Sequence, residues 1–206
     1  MARFFERRTG PLFCLYRFGP SRLNIDVRFQ PNRNYVSNDE IQTPPALAQQ
    51  LVAHFAPVGR VLEPCAGDGH IFDRLPPTSE WCEIKRGRDF FAWEEPVDWI
   101  ITNPPWSQIR PFLVHAFALS ANVVFLLTIN HVWTKARLRA MSAAGFGIRE
   151  ILLVATPESF PPTGFQLGAV HYQRGYHGPI DLTGLGHGAA LSGSPRSGRM
   201  ILTRSR

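Results

Sequence analysis

The 206-residue chain is 44% hydrophobic and 18% charged, enough for one full core and far from the composition of a disordered or collagen-like protein. Three cysteines, Cys14, Cys65 and Cys82, are odd in number and widely spaced, which excludes a disulfide framework and points to a reducing, cytoplasmic setting. The formal charge of +6 lies at the ends: seven arginines against Glu6 and Asp26 in residues 1–33, and five arginines against Asp181 in residues 174–206. Basic ends on a mildly acidic body suit a polyanion, nucleic acid first, although arginine-rich ends also serve solubility alone. The seven histidines are scattered and no Cys/His cluster has zinc spacing, so no metal site is expected. Arg17 ends the only early apolar piece, and the longest apolar run is Val123 to Leu127. Neither a signal peptide nor a membrane span is expected.

In chain order, residues 1–36 show no period and read as a basic arm. Thr43 and the prolines Pro44 and Pro45 look like a helix start, with Thr43 as a candidate cap, and apolar residues at helical spacing follow to Phe55. Arg60–Pro64 reads as a strand and Cys65–His70 as a glycine turn. Ile71–Leu75 follows as a short helix. Glu80–Ile84 is a second strand, and Arg88–Phe91 a possible remnant of a third. Val97–Thr102 is a buried strand that runs into Asn103-Pro104-Pro105-Trp106. A helix over Pro111–Ala121, a doubly buried strand over Asn122–Thr128 and an amphipathic helix over Val132–Ala144 come next. Ile148–Ala155 and Leu167–Gln173 read as a final strand pair, joined by a proline-rich loop that carries Phe160 and Phe165. From His177 on, Gly, Ser and Arg dominate without periodicity, and disorder is expected there. The domain proper is therefore placed at 37–176, with a tail over 177–206.

Strands alternating with helices predict an α/β fold: a mostly parallel twisted sheet, helices on both faces, and a final antiparallel strand pair. Ligands of such sheets sit beyond the carboxyl ends of the strands. That rim would carry the turn after Glu63, the loop after Glu83 and the stretch after Thr102. The turn Glu63-Pro64-Cys65-Ala66-Gly67-Asp68-Gly69 permits close backbone approach, but its flanking acids repel phosphate and suit an ammonium or sulfonium. Asn103-Pro104-Pro105-Trp106 presents an amide, rigid carbonyls and an aromatic plate, which suits a flat NH2 group. It reads equally as a strand-to-helix turn in which Asn103 caps the next helix. Glu83 and Asp89 could also be surface partners of Lys85, Arg86 or Arg88.

Thr43-Pro44, Val61-Leu62-Glu63-Pro64 with Gly67-Asp68-Gly69, Glu83, Asp89-Phe90 and Asn103-Pro104-Pro105-Trp106, in this order, resemble the Rossmann-like S-adenosyl-L-methionine-dependent methyltransferases that modify adenine N6 in DNA. The resemblance runs from about residue 37 to 173, with Trp106 where that family more often has Tyr or Phe. It implies S-adenosyl-L-methionine as cofactor. Thr43 would touch its methionine part, and Glu63, Pro64, Gly67, Asp68 and Gly69 would hold its amino acid end. Glu83 would bond the ribose, and Asp89 and Phe90 the adenine. Asn103 and the Pro104 carbonyl, braced by Pro105, would take the target amino group, and Trp106 would stack on the target base. Phe160 and Phe165 could clamp that base from its other face. DNA is the implied partner, with RNA possible. No membrane is implied. A specificity subunit is conceivable, because no separate recognition domain is evident. Two alternatives stand beside this reading. One methylates RNA adenine or a protein glutamine amide; the other is a non-catalytic nucleic-acid-binding module on a degenerate methyltransferase fold.

Overall fold

The computed structural model describes residues 39–161 and 164–185. The expected basic arm, residues 1–36, and the tail beyond residue 185 lie outside the described residues.

Helix α1, Pro45–Phe55, opens on two prolines and buries Leu47, Ala48, Leu51 and Phe55. Thr43 does not cap it: the N-cap residue is Pro44 and no side chain bonds the first turn. The prolines explain this, since Pro45 has no N–H for a Thr43 hydroxyl to satisfy. Strand β1 is Val61–Glu63 and β2 only Glu80–Trp81, shorter than the expected Glu80–Ile84. Strand β3 is Val97–Thr102, as the sequence predicts. Helix α2, Ile109–Leu119, passes directly into β4, Ser120–Thr128. Helix α3, Lys135–Ala143, starts later than expected, because Ile129–His131 first makes a one-turn helix and the Thr134 hydroxyl then accepts the Arg137 amide at 3.4 Å. Strands β5, Phe146–Leu153, and β6, Leu167–Arg174, complete the expected pair. A strand absent from the sequence reading, β7 at Asp181–Gly184, pairs in parallel with β5 inside what was expected to be a disordered tail.

The sheet runs β2-β1-β3-β4-β6-β5-β7. Strands β2, β1, β3 and β4 are mutually parallel, and β6 is antiparallel to both β4 and β5. Alternation along the strands splits the core into two layers. Val61, Ile101, Val124, Leu126 and Ala169 face α1, whereas Leu62, Ile100, Val123, Phe125 and Val170 face the buried stripe of α2, Ile109, Leu113, Ala116 and Phe117. Helices therefore cover both faces. Each such fully buried aliphatic side chain contributes roughly 1.5–3 kcal/mol, so a Leu51→Ala change at the α1 layer would cost several times an ordinary surface substitution.

Arg88–Phe91 is not a strand. Asp89 caps a one-turn helix, Phe90–Ala92, through the Phe91 amide at 2.9 Å. The sheet thus ends at β2, and its parallel half presents the carboxyl ends of β1 and β3 side by side. Among the described residues, no helix is long and apolar enough to cross a membrane.

Candidate active site

A cleft of about 570 Å³ opens at that rim. Thr43, Glu63, Pro64, Gly67, Asp68, Glu83, Asp89, Phe90, Asn103 and Pro105 all line it. Pro104 and Trp106 instead line a second cavity of about 10 Å³ with Asn103 and Phe160. Gly69 lines neither; its amide donates to the Ala66 carbonyl at 2.7 Å and its carbonyl accepts the Asp73 amide at 2.8 Å, so it closes the turn.

Glu63 ends β1, is only 2% exposed, and its Oε2 has no hydrogen-bond partner. Burial pushes its carboxyl well above the usual range; the Phe72 amide opposes this, and Asp73 and Glu83 reinforce it. A buried carboxylate without a partner is costly unless a cation comes to it or a proton stays on it. The next residues form a tight turn beside it. Gly67 has φ +52°, a backbone that L side chains rarely adopt, and a Cβ there would lie 2.1 Å from Gln42 Oε1. Glu83 braces the turn: Oε2 accepts the Gly67 amide at 2.9 Å and Oε1 the Lys85 amide at 3.0 Å. It caps the one-turn helix Ile84–Arg86 rather than ending a strand. Each of its oxygens can accept a further hydrogen bond, and Glu83 lines the cleft. Asp89 is a cap as well, with Phe90 buried behind it and Ile84 and Phe91 exposed on the lip.

Asn103 leaves the tip of β3 and stands where the two cavities meet. Its Nδ2 donates to the Ile41 carbonyl at 3.1 Å, while its Oδ1 is buried and has no partner. It caps no helix; the one-turn helix Trp106–Gln108 has Pro105 before it and α2 has Gln108. The Trp106 indole is half-buried and donates to the Leu126 carbonyl at 3.3 Å. Phe160 and His131 lie 5.9 and 6.4 Å from its ring. Phe160 is buried and Phe165 is 47% exposed. Burial and the Arg137 guanidinium hold His131 below its usual range.

The sequence reading missed the segment that spans the cleft. Five consecutive residues bond three walls: the stretch 103–107, the glycine turn and Lys85. Asp39 accepts the Ser107 amide at 3.1 Å and also its hydroxyl. Glu40 pairs with Lys85 at 2.7 Å. Ile41 holds Asn103, and Gln42 Oε1 accepts the Asp68 amide at 3.2 Å. The Thr43 carbonyl bonds His70 Nδ1 at 2.8 Å. Only Thr43 carried a signal, its proximity to the proline pair; the other contacts join residues 26 to 68 positions apart.

No protein-family profile and no curated protein sequence matches the chain. Solved structures do match in fold. A protein described as a class I S-adenosylmethionine-dependent methyltransferase from Listeria monocytogenes superposes with a TM-score of 0.58 at 12% identity, over 74% of this chain and 68% of that one. A protein described as the modification subunit of a type I restriction enzyme from Vibrio vulnificus gives 0.50 at 14% identity, over 70% of this chain and 46% of that one. The M protein of the type I restriction enzyme EcoKI gives 0.50 at 10% identity, over 71% and 48%. The chain thus has the Rossmann-like methyltransferase fold, and it spans about half the length of the two restriction-system subunits.

Proposed function

We propose that the chain is an S-adenosyl-L-methionine-dependent methyltransferase acting on the N6 amino group of adenine in DNA. The observation that carries the reading is Asn103 Oδ1: a buried amide oxygen, without a partner, at the junction of a cofactor-sized cleft and an aromatic-lined cavity.

The residues present fit the cofactor. The orphaned Glu63 Oε2 answers an ammonium, and the positive-φ turn at Gly67 lets the backbone come close to its amino acid end. Thr43, Pro64 and Asp68 line the same end, Glu83 keeps lone pairs for ribose hydroxyls, and Asp89 with Phe90 takes the adenine. When bound, the cofactor supplies an electrophilic methyl group on a sulfonium.

The chain's own part is positioning. An adenine amino nitrogen is a poor nucleophile because its lone pair is shared with the ring. Asn103 Oδ1 and the Pro104 carbonyl accept its two N–H groups and draw it toward tetrahedral geometry, which localises the lone pair. The cofactor would supply its methyl group as the electrophile to the nitrogen so held, and the surplus proton on that nitrogen would leave for solvent. Fixed acceptors aimed at developing charge are the economical way to do this. Trp106 offers the plate on which an extruded base stacks, offsetting roughly 1–3 kcal/mol of lost stacking. The acceptor cavity, about 10 Å³, holds little more than a water, so entry of a base requires Asp39–Ile41 or Phe160 to move aside. Likeness to type I modification subunits supports a DNA acceptor and a separate specificity partner.

The test is incubation of the full chain with labelled cofactor and unmethylated DNA, RNA and protein, followed by nucleoside analysis. Label in N6-methyldeoxyadenosine is expected. Label confined to RNA or protein overturns the acceptor, and no heat of binding at millimolar cofactor overturns the enzyme.

A further inference from the structure

Charge along the described chain is divided at β3. Residues 39–98, which build the cofactor side, carry eleven carboxylates against five cations. Residues 99–149, which hold the acceptor motif, α2, β4, α3 and the start of β5, carry Arg110, Lys135, Arg137, Arg139 and Arg149 and no carboxylate at all. Along the chain, the first segment therefore repels a polyanion and the second attracts one, although the Asp39 carboxylate reaches across to Ser107 at the acceptor motif.

The acid-free segment also carries half-buried and exposed aromatic rings. The Trp106 ring lies 6.4 Å from the His131 ring. Two residues on, Trp133 is 50% exposed. The turn between them is held by Arg137, which folds back to donate to the His131 carbonyl at 2.6 Å. With Arg137 so engaged, Lys135 and Arg139 remain exposed one helical turn apart on α3, and neither has an ion-pair partner among the described residues. Exposed Arg110, in the first turn of the neighbouring α2, stands at the same rim.

We infer that Trp133, Lys135 and Arg139 form a docking surface for a single polynucleotide strand, with a base stacked on Trp133 and neighbouring phosphates on the two cations. An exposed indole two residues before a pair of exposed cations on one helix face suits unstacked bases on a phosphate chain. A rigid duplex offers phosphates but no free base face. The surface rests on the methyl-transfer reading only in sharing a segment with Trp106.

The test measures binding without cofactor or turnover. The full chain is titrated into a labelled single-stranded oligodeoxynucleotide, its duplex and the matching oligoribonucleotide at several salt concentrations. Trp133→Ala is expected to weaken single-strand binding about tenfold, and Trp133→Phe far less, with duplex binding unchanged. Lys135→Ala with Arg139→Ala is expected to reduce the single-strand salt slope by about 1.4. Single-strand affinity unchanged in Trp133→Ala of unaltered Tm overturns the proposal, as does an equal loss for strand and duplex, or an unchanged salt slope in the paired variant. If Trp133→Ala does not fold, the paired variant and Trp133→Phe decide on the same criteria. A Trp133 effect in a protein that transfers no methyl group upholds this surface and sinks the catalytic reading. Preference for the oligoribonucleotide upholds it and overturns DNA as acceptor.

Discussion

Replacing Asn103 separates a clamp from a turn, because the two roles predict opposite orders of stability. In Asn103→Ala the bond from Nδ2 to the Ile41 carbonyl, 3.1 Å long, is lost, at a cost of about 1 kcal/mol. The same change removes a buried oxygen that bonds nothing, which returns about 1–3 kcal/mol. The balance lies between neutral and mildly stabilising, so Tm stays level or rises by up to about 8 °C, at 2–4 °C per kcal/mol for a chain of this size. Asn103→Asp does the reverse. It turns a carboxylate oxygen toward the Ile41 carbonyl in a buried place with no cation, at about 3 kcal/mol or more, and Tm falls. A helix cap ranks Asp with Asn and well above Ala. Thermal denaturation of the three proteins is one arm; the other is initial rate at saturating cofactor with cofactor affinity from calorimetry. Loss of one fixed acceptor lowers the methyl-transfer rate about 100- to 1,000-fold in Asn103→Ala, by analogy with removal of one preorganised partner of developing charge. Cofactor affinity stays within about threefold, since Asn103 contributes no charge to that end of the cleft. A stability order with Asp level with Asn and Ala lowest refutes the reasoning, whatever the rate.

Three further outcomes follow from the same geometry. Burial raises the Glu63 carboxyl above its ordinary 4.5, so the folded chain holds a proton that the unfolded chain releases, and stability falls as pH rises from 4.5 through the raised value. Glu63→Gln is therefore expected to raise Tm of the ligand-free protein at pH 7 and flatten that slope, while weakening cofactor binding at least about tenfold by calorimetry, the loss of one charge-assisted contact. Gly67→Ala combines a left-handed backbone with a Cβ 2.1 Å from Gln42 Oε1; it is expected to cost about 1–2 kcal/mol for the backbone alone, with the added clash relieved by Gln42→Ala in denaturant titrations. His171 is 5% exposed and pushed down to about 4, first by burial and then by Arg149. Its stabilising contribution is complete above about pH 6.5 and is lost as pH falls toward 4, by at most about 3 kcal/mol. Urea midpoints should follow that window, and His171→Phe, which keeps a ring against Trp99, should flatten it.

The strands that could be read from sequence are those whose pattern is decided by burial. Ile100–Thr102 at the end of β3 and Val123–Thr128 in β4 are buried without a break, and their apolar run says so. Elements decided by a partner were not legible. Glu80–Ile84 has the residues of a strand, but its neighbour β1 is three residues long and stops at Pro64, so only Glu80 and Trp81 keep ladder partners. The chain then turns on Gly87 at φ +74°, and Glu83 and Asp89 become caps. Strand β7 has no period in four residues; it exists because β5 leaves an edge unpaired. Ten of the thirteen candidate site residues line one cleft; most stand at or just beyond the carboxyl ends of parallel strands, as the fold class predicts, whereas Thr43 is brought there by the segment before α1. Gln42 and Ile41 could not be found that way, since their roles come from bonds to residues in other elements.

Those two residues explain how the acceptor amide is oriented. An Asn side chain at the strand tip has two flips of nearly equal shape. With Ile41 C=O beside it, one flip makes a hydrogen bond and the other sets two oxygens against each other. The carbonyl therefore selects the flip that leaves Oδ1 without a partner. The adjoining residue, Gln42, fills the seat over Gly67 and takes the Asp68 amide. A ligand that claims that amide must displace Gln42, and so acts on the chain one peptide unit from the carbonyl that orients Asn103. The amide orientation and the occupancy of the glycine turn are thus set by the same short segment, which neither the sheet nor its helices supply.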